Sequence, residues 1–186
     1  MRFNEQHVDS RVLKVDHHFG QYERCRLVTA YHKHVLKQSV KIGEVRQGMT
    51  ILDYGCGRQV LRQVLPKGVE YFGYDLVPEF SDLDNVLGRR YDVIFAIQVL
   101  QYPDEAGLKE LAESFAELSP RLVVMLPSRS PVKKYLFDAV LRIKKDADET
   151  FRSEPWLVYR ILDRLFECEE SKNLFWLGEL SRWKRR

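Results

Sequence analysis

The stretch ILDYGCGRQ, residues 51–59, consists of a short apolar segment that ends in an acid and continues into a glycine turn. A short, continuous apolar run is typical of a buried parallel strand, and Asp53 stands at its end. Gly55 and Gly57 can take φ values denied to other residues and let the backbone approach a ligand closely. Because ligands of open α/β sheets bind at the carboxyl ends of strands, the stretch predicts a first strand with a ligand site at its end.

A second acid, Asp75, ends the next apolar segment, 20 residues after Gly55. A carboxylate there can accept hydrogen bonds from both hydroxyls of a ribose, which fits a dinucleotide or S-adenosylmethionine. A dinucleotide fingerprint needs glycine or alanine at Val60, because a branched side chain obstructs helix packing and the approach of the pyrophosphate. S-adenosylmethionine has no pyrophosphate, and Asp53 can receive the ammonium of its methionine part. The turn therefore favours S-adenosylmethionine.

Composition and length predict one globular domain in the cytoplasm. The chain has 186 residues, with 45% hydrophobic and 31% charged residues and a net charge of +3, which is the balance of a soluble protein. Its three cysteines, Cys25, Cys56 and Cys168, are far apart and have no zinc or redox spacing. The N-terminus has no apolar segment of the kind found in export signals, and no stretch is long enough to span a membrane.

Apolar patterning along the chain predicts alternating helices and strands. Residues 22–40 and 104–118 have the spacing of amphipathic helices, and three short apolar runs are typical of buried parallel strands. These runs are VEYFGYDL (69–76), YDVIFAI (91–97) and RLVVMLP (121–127). Strand, helix and strand in this order predict a right-handed crossover and a parallel sheet with helices on its faces. The C-terminal third predicts a helix and then two extended segments, which can form a hairpin.

The motifs resemble, in order and spacing, those of class I S-adenosylmethionine-dependent methyltransferases. The segments that carry the resemblance are ILDYGCG, YFGYDL, YDVIFAIQVLQYPDEAGLKEL and RLVVMLP. The resemblance implies a single-domain, three-layer α/β/α sandwich with a mostly parallel sheet of the seven-stranded type and a C-terminal antiparallel hairpin. Only VPEFSDLDNVLGRR (77–90) separates the second and fourth strands of the family, so the third strand is expected to be short or missing. Residues 1–44 would form a helical lid segment and residues 45–186 the methyltransferase domain.

The resemblance also implies which residues bind S-adenosyl-L-methionine. The methionine part would lie against Asp53, Gly55 and Gly57, the ribose on Asp75 and the adenine against Leu76. The end of the fourth strand of the family would line the methionine side through Ala96, Ile97 and Gln98. Two departures stand out: Gln59 replaces the third glycine of the first motif, and the acid that recognises adenine is either Asp82 or Asp84.

Two residues are candidates for catalysis, Tyr102 and His18. Tyr102 occupies the position where many small-molecule members of the family carry a histidine that faces the acceptor. A phenol has an ordinary pKa of about 10, so it would orient an acceptor better than it deprotonates one. His18 lies in DHHFGQY (16–22), a segment that could reach over the methyl group, although a solvated loop is the alternative. No metal site is expected, because His32 and His34 do not share a helix face.

The expected acceptor is an oxygen or nitrogen of a small molecule, a glycan or a lipid-linked precursor. The chain has neither the Asn-Pro-Pro-Tyr type sequence of nucleic-acid amine methyltransferases nor the Pro-Cys nucleophile of the cytosine-C5 type. A wide apolar face with a basic fringe over residues 131–145 could contact a membrane, although burial against the sheet is the alternative. The C-terminal RWKRR is a weak signal for nucleic acid, which is not an expected partner. The sequence does not predict the oligomeric state.

Three other functions remain open at the level of the sequence. They are a non-catalytic module that keeps the cofactor fold as a binding surface, an RNA methyltransferase, and an NAD(P)-binding oxidoreductase. Gln59 and the shortened third strand favour the first, and Val60 disfavours the last.

Overall fold

The computed structural model describes residues 26–128, 152–174 and 178–186. The helices are α1 (Arg26–Ile42), α2 (Glu105–Leu118) and α3 (Pro155–Leu162), with short 3₁₀ helices at Val60–Val64 and Pro78–Phe80. The strands are β1 (Thr50–Tyr54), β2 (Glu70–Tyr74), β3 (Val93–Ile97), β4 (Arg121–Pro127), β5 (Phe166–Leu174) and β6 (Gly178–Arg185). No helix in these ranges is long and apolar enough to cross a membrane. His18 and residues 131–145 lie outside the described residues.

The strands form one six-stranded sheet in the order β2-β1-β3-β4-β6-β5. The first four strands in this order are parallel, and β6 is antiparallel to both β4 and β5. The parallel α/β sheet and the C-terminal antiparallel hairpin are therefore confirmed. No strand lies between Tyr74 and Val93, a segment that is described throughout, so the third strand of the family is missing, as the short spacing predicted.

Helices cover both faces of the sheet, because inward-pointing side chains alternate along the buried strands. On one face, Leu122 and Val124 of β4 belong to a core with α2 and α3. On the other face, Val123 and Met125 belong to a core with α1 and the first 3₁₀ helix. The predicted apolar face of α2 is buried at every position, namely at Leu108, Leu111, Ala112, Phe115 and Leu118. This arrangement is the predicted three-layer sandwich.

Helix α1 forms part of the layer on the second face. Its residues Val35, Leu36 and Ile42 are buried in the same core as Val123. At the end of the helix, Gly43 is close to the sheet, since a Cβ there would lie 3.0 Å from Cζ of Phe95. The part of the predicted lid segment that the structure describes, from residue 26 onward, thus packs against the second face of the sheet. The division of the chain near residue 44 stays a prediction.

The outer edge of β2 is covered by the segment that replaces the third strand. The backbone N–H of Asp82 donates to the carbonyl of Gly73 at 2.8 Å, and the Gly73 N–H donates to Oδ2 of Asp82 at 2.9 Å. These two bonds satisfy groups that a neighbouring strand would otherwise pair. A single residue thus replaces strand pairing at Gly73.

Candidate functional site

The glycine turn lies at the carboxyl end of β1 and is anchored to the end of β2. Gly55 and Gly57 have φ values of 73° and 47°, and Gln59 follows with 55°. The backbone N–H groups of Gly55 and Cys56 donate to the carbonyl of Tyr74 at 2.8 and 3.1 Å. A Cβ at residue 55 would lie 2.6 Å from Cγ2 of Val99. Position 55 therefore requires glycine for both its backbone angle and its space.

Asp75 joins the turn to the loop after β2. Its Oδ2 accepts a hydrogen bond from the N–H of Gly57 at 2.9 Å, and its Oδ1 accepts one from the N–H of Val77 at 3.0 Å. Each carboxylate oxygen has a further lone pair, so these two bonds leave acceptor capacity for a ligand. The half-buried side chain thus shapes the turn and remains able to bind. Leu76, half-buried, follows directly.

Asp53 has much drier surroundings. Its side chain is buried, and its Oδ2 accepts a hydrogen bond from the hydroxyl of Tyr71 at 2.9 Å. Burial raises the pKa of Asp53 to about 7; the Tyr71 hydrogen bond opposes this rise and the charge of Asp75 adds to it. Within residues 26–128, 152–174 and 178–186 no cationic side chain forms an ion pair with Asp53. A cation placed there would favour the ionised carboxylate.

Sequence reasoning missed Tyr71, which reaches Asp53 because Gly73 has no side chain. The parallel register pairs Asp53 with Gly73. Tyr71 precedes Gly73 by two residues in β2, so both positions lie on the same face of the sheet. A Cβ at residue 73 would lie 3.2 Å from the Tyr71 hydroxyl and 2.9 Å from Sγ of Cys56. The available signal was a glycine in a strand opposite an acid, which allows a neighbouring long side chain to cross.

The end of β3 brings together the predicted residues 96–98 and another residue that the sequence did not identify. Gln98 has φ 56°, an uncommon conformation for a residue with a side chain. Its carbonyl accepts a hydrogen bond from Nε2 of Gln101 at 2.7 Å. Gln101 is 3% exposed, and its Oε1 has no hydrogen-bond partner. Strained backbone conformations of this kind cluster at active sites and ligand-binding sites.

The other predicted residues occupy different environments. Ala96 is buried, Ile97 is half-buried, and the half-buried Tyr102 follows Gln101 in the turn after β3. Both carboxylate oxygens of Asp82 accept hydrogen bonds within the protein, from Gln59 and Gly73. Asp84 is exposed. The structure therefore gives Asp82 internal partners, and the assignment of either acid to adenine stays a prediction.

Neither a protein-family model nor a curated protein sequence matches the chain, whereas solved structures do. One of these is magnesium protoporphyrin IX methyltransferase (ChlM) from Synechocystis PCC 6803, with bound S-adenosyl-L-homocysteine (SAH). It is 14% identical to this chain, the TM-score is 0.61, and the alignment covers 96% of this chain and 100% of that one. The N-methyltransferase NodS from Bradyrhizobium japonicum WM9, in complex with S-adenosyl-L-homocysteine (SAH), is 14% identical, with a TM-score of 0.62 over 83% and 87%. A protein from Pyrococcus horikoshii OT3 is 13% identical, with a TM-score of 0.63 over 87% and 92%. The chain has the class I methyltransferase fold.

Proposed function

We propose that this protein is a methyltransferase that uses S-adenosyl-L-methionine and methylates an oxygen or nitrogen of a small molecule, a glycan or a lipid-linked precursor. The observation that carries the proposal is the turn with positive φ at Gly55 and Gly57 between two carboxyl groups, Asp53 and Asp75. Solved structures of the same fold include an N-methyltransferase with bound SAH, which supports the reaction type.

The residues at the ends of β1 and β2 fit S-adenosylmethionine. Asp53 is a buried carboxyl group that lacks a cationic partner among the described residues, and the methionine part of the cofactor carries an ammonium. Asp75 keeps acceptor capacity for ribose hydroxyls, and Leu76 follows it for the adenine. The bare backbone at Gly55 and Gly57 allows close approach. Residues 96–98 would line the methionine side.

The same turn fits a dinucleotide poorly. Pyrophosphate sites use the N-terminus of an α-helix, where free N–H groups and the helix dipole bind the phosphates. Here the turn is followed by a five-residue 3₁₀ helix, Val60–Val64, with the half-buried Val60 as its first residue. This difference favours methyl transfer over a nicotinamide-dependent reaction.

When bound, the cofactor would supply a methyl group on a sulfonium: an oxygen or nitrogen lone pair of the acceptor would bond to the methyl carbon, and the neutral thioether would leave. The contribution of the chain is to hold that lone pair in line, and orientation of this kind supplies much of the acceleration. Tyr102, in the turn after β3, would contact the acceptor. His18 remains the second candidate.

Isothermal titration calorimetry with S-adenosylmethionine and SAH tests the cofactor assignment. We expect both to bind, and folded protein that binds neither would refute it. A methyl-transfer screen with radiolabelled cofactor against small molecules, glycans, lipid-linked saccharides and RNA then tests the acceptor. Transfer to RNA alone would replace the proposed acceptor class, and cofactor binding without transfer to any of them would favour a non-catalytic module.

The proposal places the protein in the cytoplasm. Cys56 and Cys168, the cysteines within the described residues, are both free thiols, which is consistent with a reducing compartment. Peripheral contact of residues 131–145 with a membrane remains a prediction, which vesicle flotation with and without anionic lipid can test.

A further inference from the structure

Gln59 stands where the resembled family has its third glycine, and its side chain joins the glycine turn to the segment after β2. Its Nε2 donates to the carbonyl of Phe80 at 2.9 Å and to Oδ1 of Asp82 at 3.0 Å. Glycine would take the φ of 55° with less strain. A glutamine at this position therefore adds a bridge that a glycine cannot form.

Asp82 continues this bridge to the edge of the sheet. Its Oδ2 accepts from the N–H of Gly73 at 2.9 Å, and its own N–H donates to the Gly73 carbonyl at 2.8 Å. In the same segment, the hydroxyl of Ser81 accepts a hydrogen bond from the N–H of Asp75 at 3.3 Å. Residues 80–82 are thus fixed against the strand end that carries the predicted ribose-binding acid.

A third group of the turn also contacts this segment. The thiol of Cys56 lies 3.3 Å from the Phe80 carbonyl and can donate to it. Burial, followed by the nearby carboxylates, raises the pKa of this thiol, so it stays protonated and able to donate. The Phe80 carbonyl therefore receives two donors from the turn, one from Cys56 and one from Gln59.

We propose that Gln59 and Asp82 are positioning residues for the adenosine half of the cofactor. The two side chains act as a clamp, named here the Gln59–Asp82 clamp, which holds residues 78–82 as a wall beside Asp75 in place of the missing third strand. Asp82 acts by holding this wall, through the hydrogen bonds that its two oxygens accept from Gln59 and Gly73. The inference rests on the proposed function, because it concerns the binding of that cofactor.

Two ligands separate this role from a general effect on the site. SAH carries both the adenosine and the amino-acid parts, whereas 5′-methylthioadenosine lacks the amino-acid part. Gln59→Glu is nearly isosteric but replaces the donor with a carboxylate that faces the Phe80 carbonyl and Asp82. We expect it to weaken the binding of both ligands by the same factor, at least about tenfold, the order expected for lost hydrogen bonds.

The matched control is Gln63→Glu, which makes the same change at an exposed residue of the adjoining 3₁₀ helix. Its affinities for both ligands should equal those of the wild type. Gln59→Met, neutral and of similar length, removes the donor without adding charge and replaces Gln59→Glu if that variant does not fold. Calorimetry at a temperature well below each melting transition ensures that folded protein is compared.

A double variant tests the pairing itself. In Gln59→Glu with Asp82→Asn, the new amide can donate to the new carboxylate while its oxygen still accepts from Gly73. The double variant should therefore recover part of the lost affinity for both ligands, which a merely disordered loop would not do.

Unchanged affinity for both ligands in Gln59→Glu and Gln59→Met would overturn the inference, as would a loss confined to SAH. A wild-type protein that binds neither ligand would instead refute the proposed function, so the two failures are distinguishable.

Discussion

Asp53 and Asp75 lie at the carboxyl ends of neighbouring strands, but their carboxyl groups have different surroundings. Asp75 is half-buried and accepts hydrogen bonds from two backbone N–H groups, those of Gly57 and Val77. Asp53 is buried, and Tyr71 donates the hydrogen bond that it accepts. Asp75 therefore organises the turn. The surroundings of Asp53 favour its neutral form as long as no cation is bound beside it.

The largest effect should follow from the loss of the organising acid. Asp75→Ala removes the acceptor of Gly57 and Val77 together with the predicted ribose contact. We expect SAH to bind about 100-fold more weakly or undetectably by calorimetry, because charge-assisted hydrogen bonds are the strong ones. Glu113→Ala, at an exposed acid of helix α2 outside the site, is the control and should bind as the wild type does. Equal affinities in the two variants would refute the assignment of Asp75.

The second effect concerns stability and pH. The pKa of Asp53 is raised to about 7 in the folded protein. The stability that the protonated carboxyl group contributes is therefore fully present below the unfolded pKa of about 4 and is lost as the pH rises through the folded pKa of about 7. From pH 5 to pH 8 the free energy of unfolding of the wild type should fall by about 2–3 kcal/mol more than that of Asp53→Asn, whose side chain does not titrate. Urea denaturation of both proteins measures the difference. Parallel curves would show that Asp53 is not held neutral.

The third effect is on ligand binding, where the two acids should differ most clearly. Asp53→Asn should weaken SAH binding about tenfold at pH 8, because it removes the predicted partner of the ammonium. It should leave the affinity for 5′-methylthioadenosine unchanged. In the wild type, SAH should also bind about tenfold more weakly at pH 6 than at pH 8, since Asp53 must first lose its proton. A pH-independent affinity for SAH in the wild type would contradict this role.

These differences mark the limit of what the sequence predicted. The strands, the missing third strand and the buried face of α2 followed from apolar runs and spacing, because burial leaves a local pattern. The partners of the site residues did not. Tyr71 reaches Asp53 only through the register of two parallel strands, and Gln59 reaches Asp82 only because a loop folds over the sheet edge. The strained φ of Gln98 and the buried oxygen of Gln101 likewise depend on tertiary packing.

The roles of Tyr102 and His18 remain predictions of the sequence. Tyr102 follows Gln101 in the turn after β3, whereas His18 lies outside the described residues. A co-structure with SAH and the acceptor would test both residues.

The smallest effect should come from Tyr71→Phe, which removes the hydrogen bond to Asp53 and keeps the ring on which Arg62 lies, 5.5 Å from its centroid. Because that hydrogen bond lowers the pKa of Asp53, its loss should raise the pKa further. At pH 7 the variant should then bind SAH about threefold more weakly than the wild type does. Near pH 9, where the carboxyl group is ionised in both proteins, the two affinities should be equal. Affinities measured from pH 6 to pH 9 would reveal this shift. If Tyr71→Phe bound SAH more weakly by the same factor at every pH, Tyr71 would have a packing role only. The pKa of Asp53 would then be set by burial and not by the Tyr71 hydrogen bond.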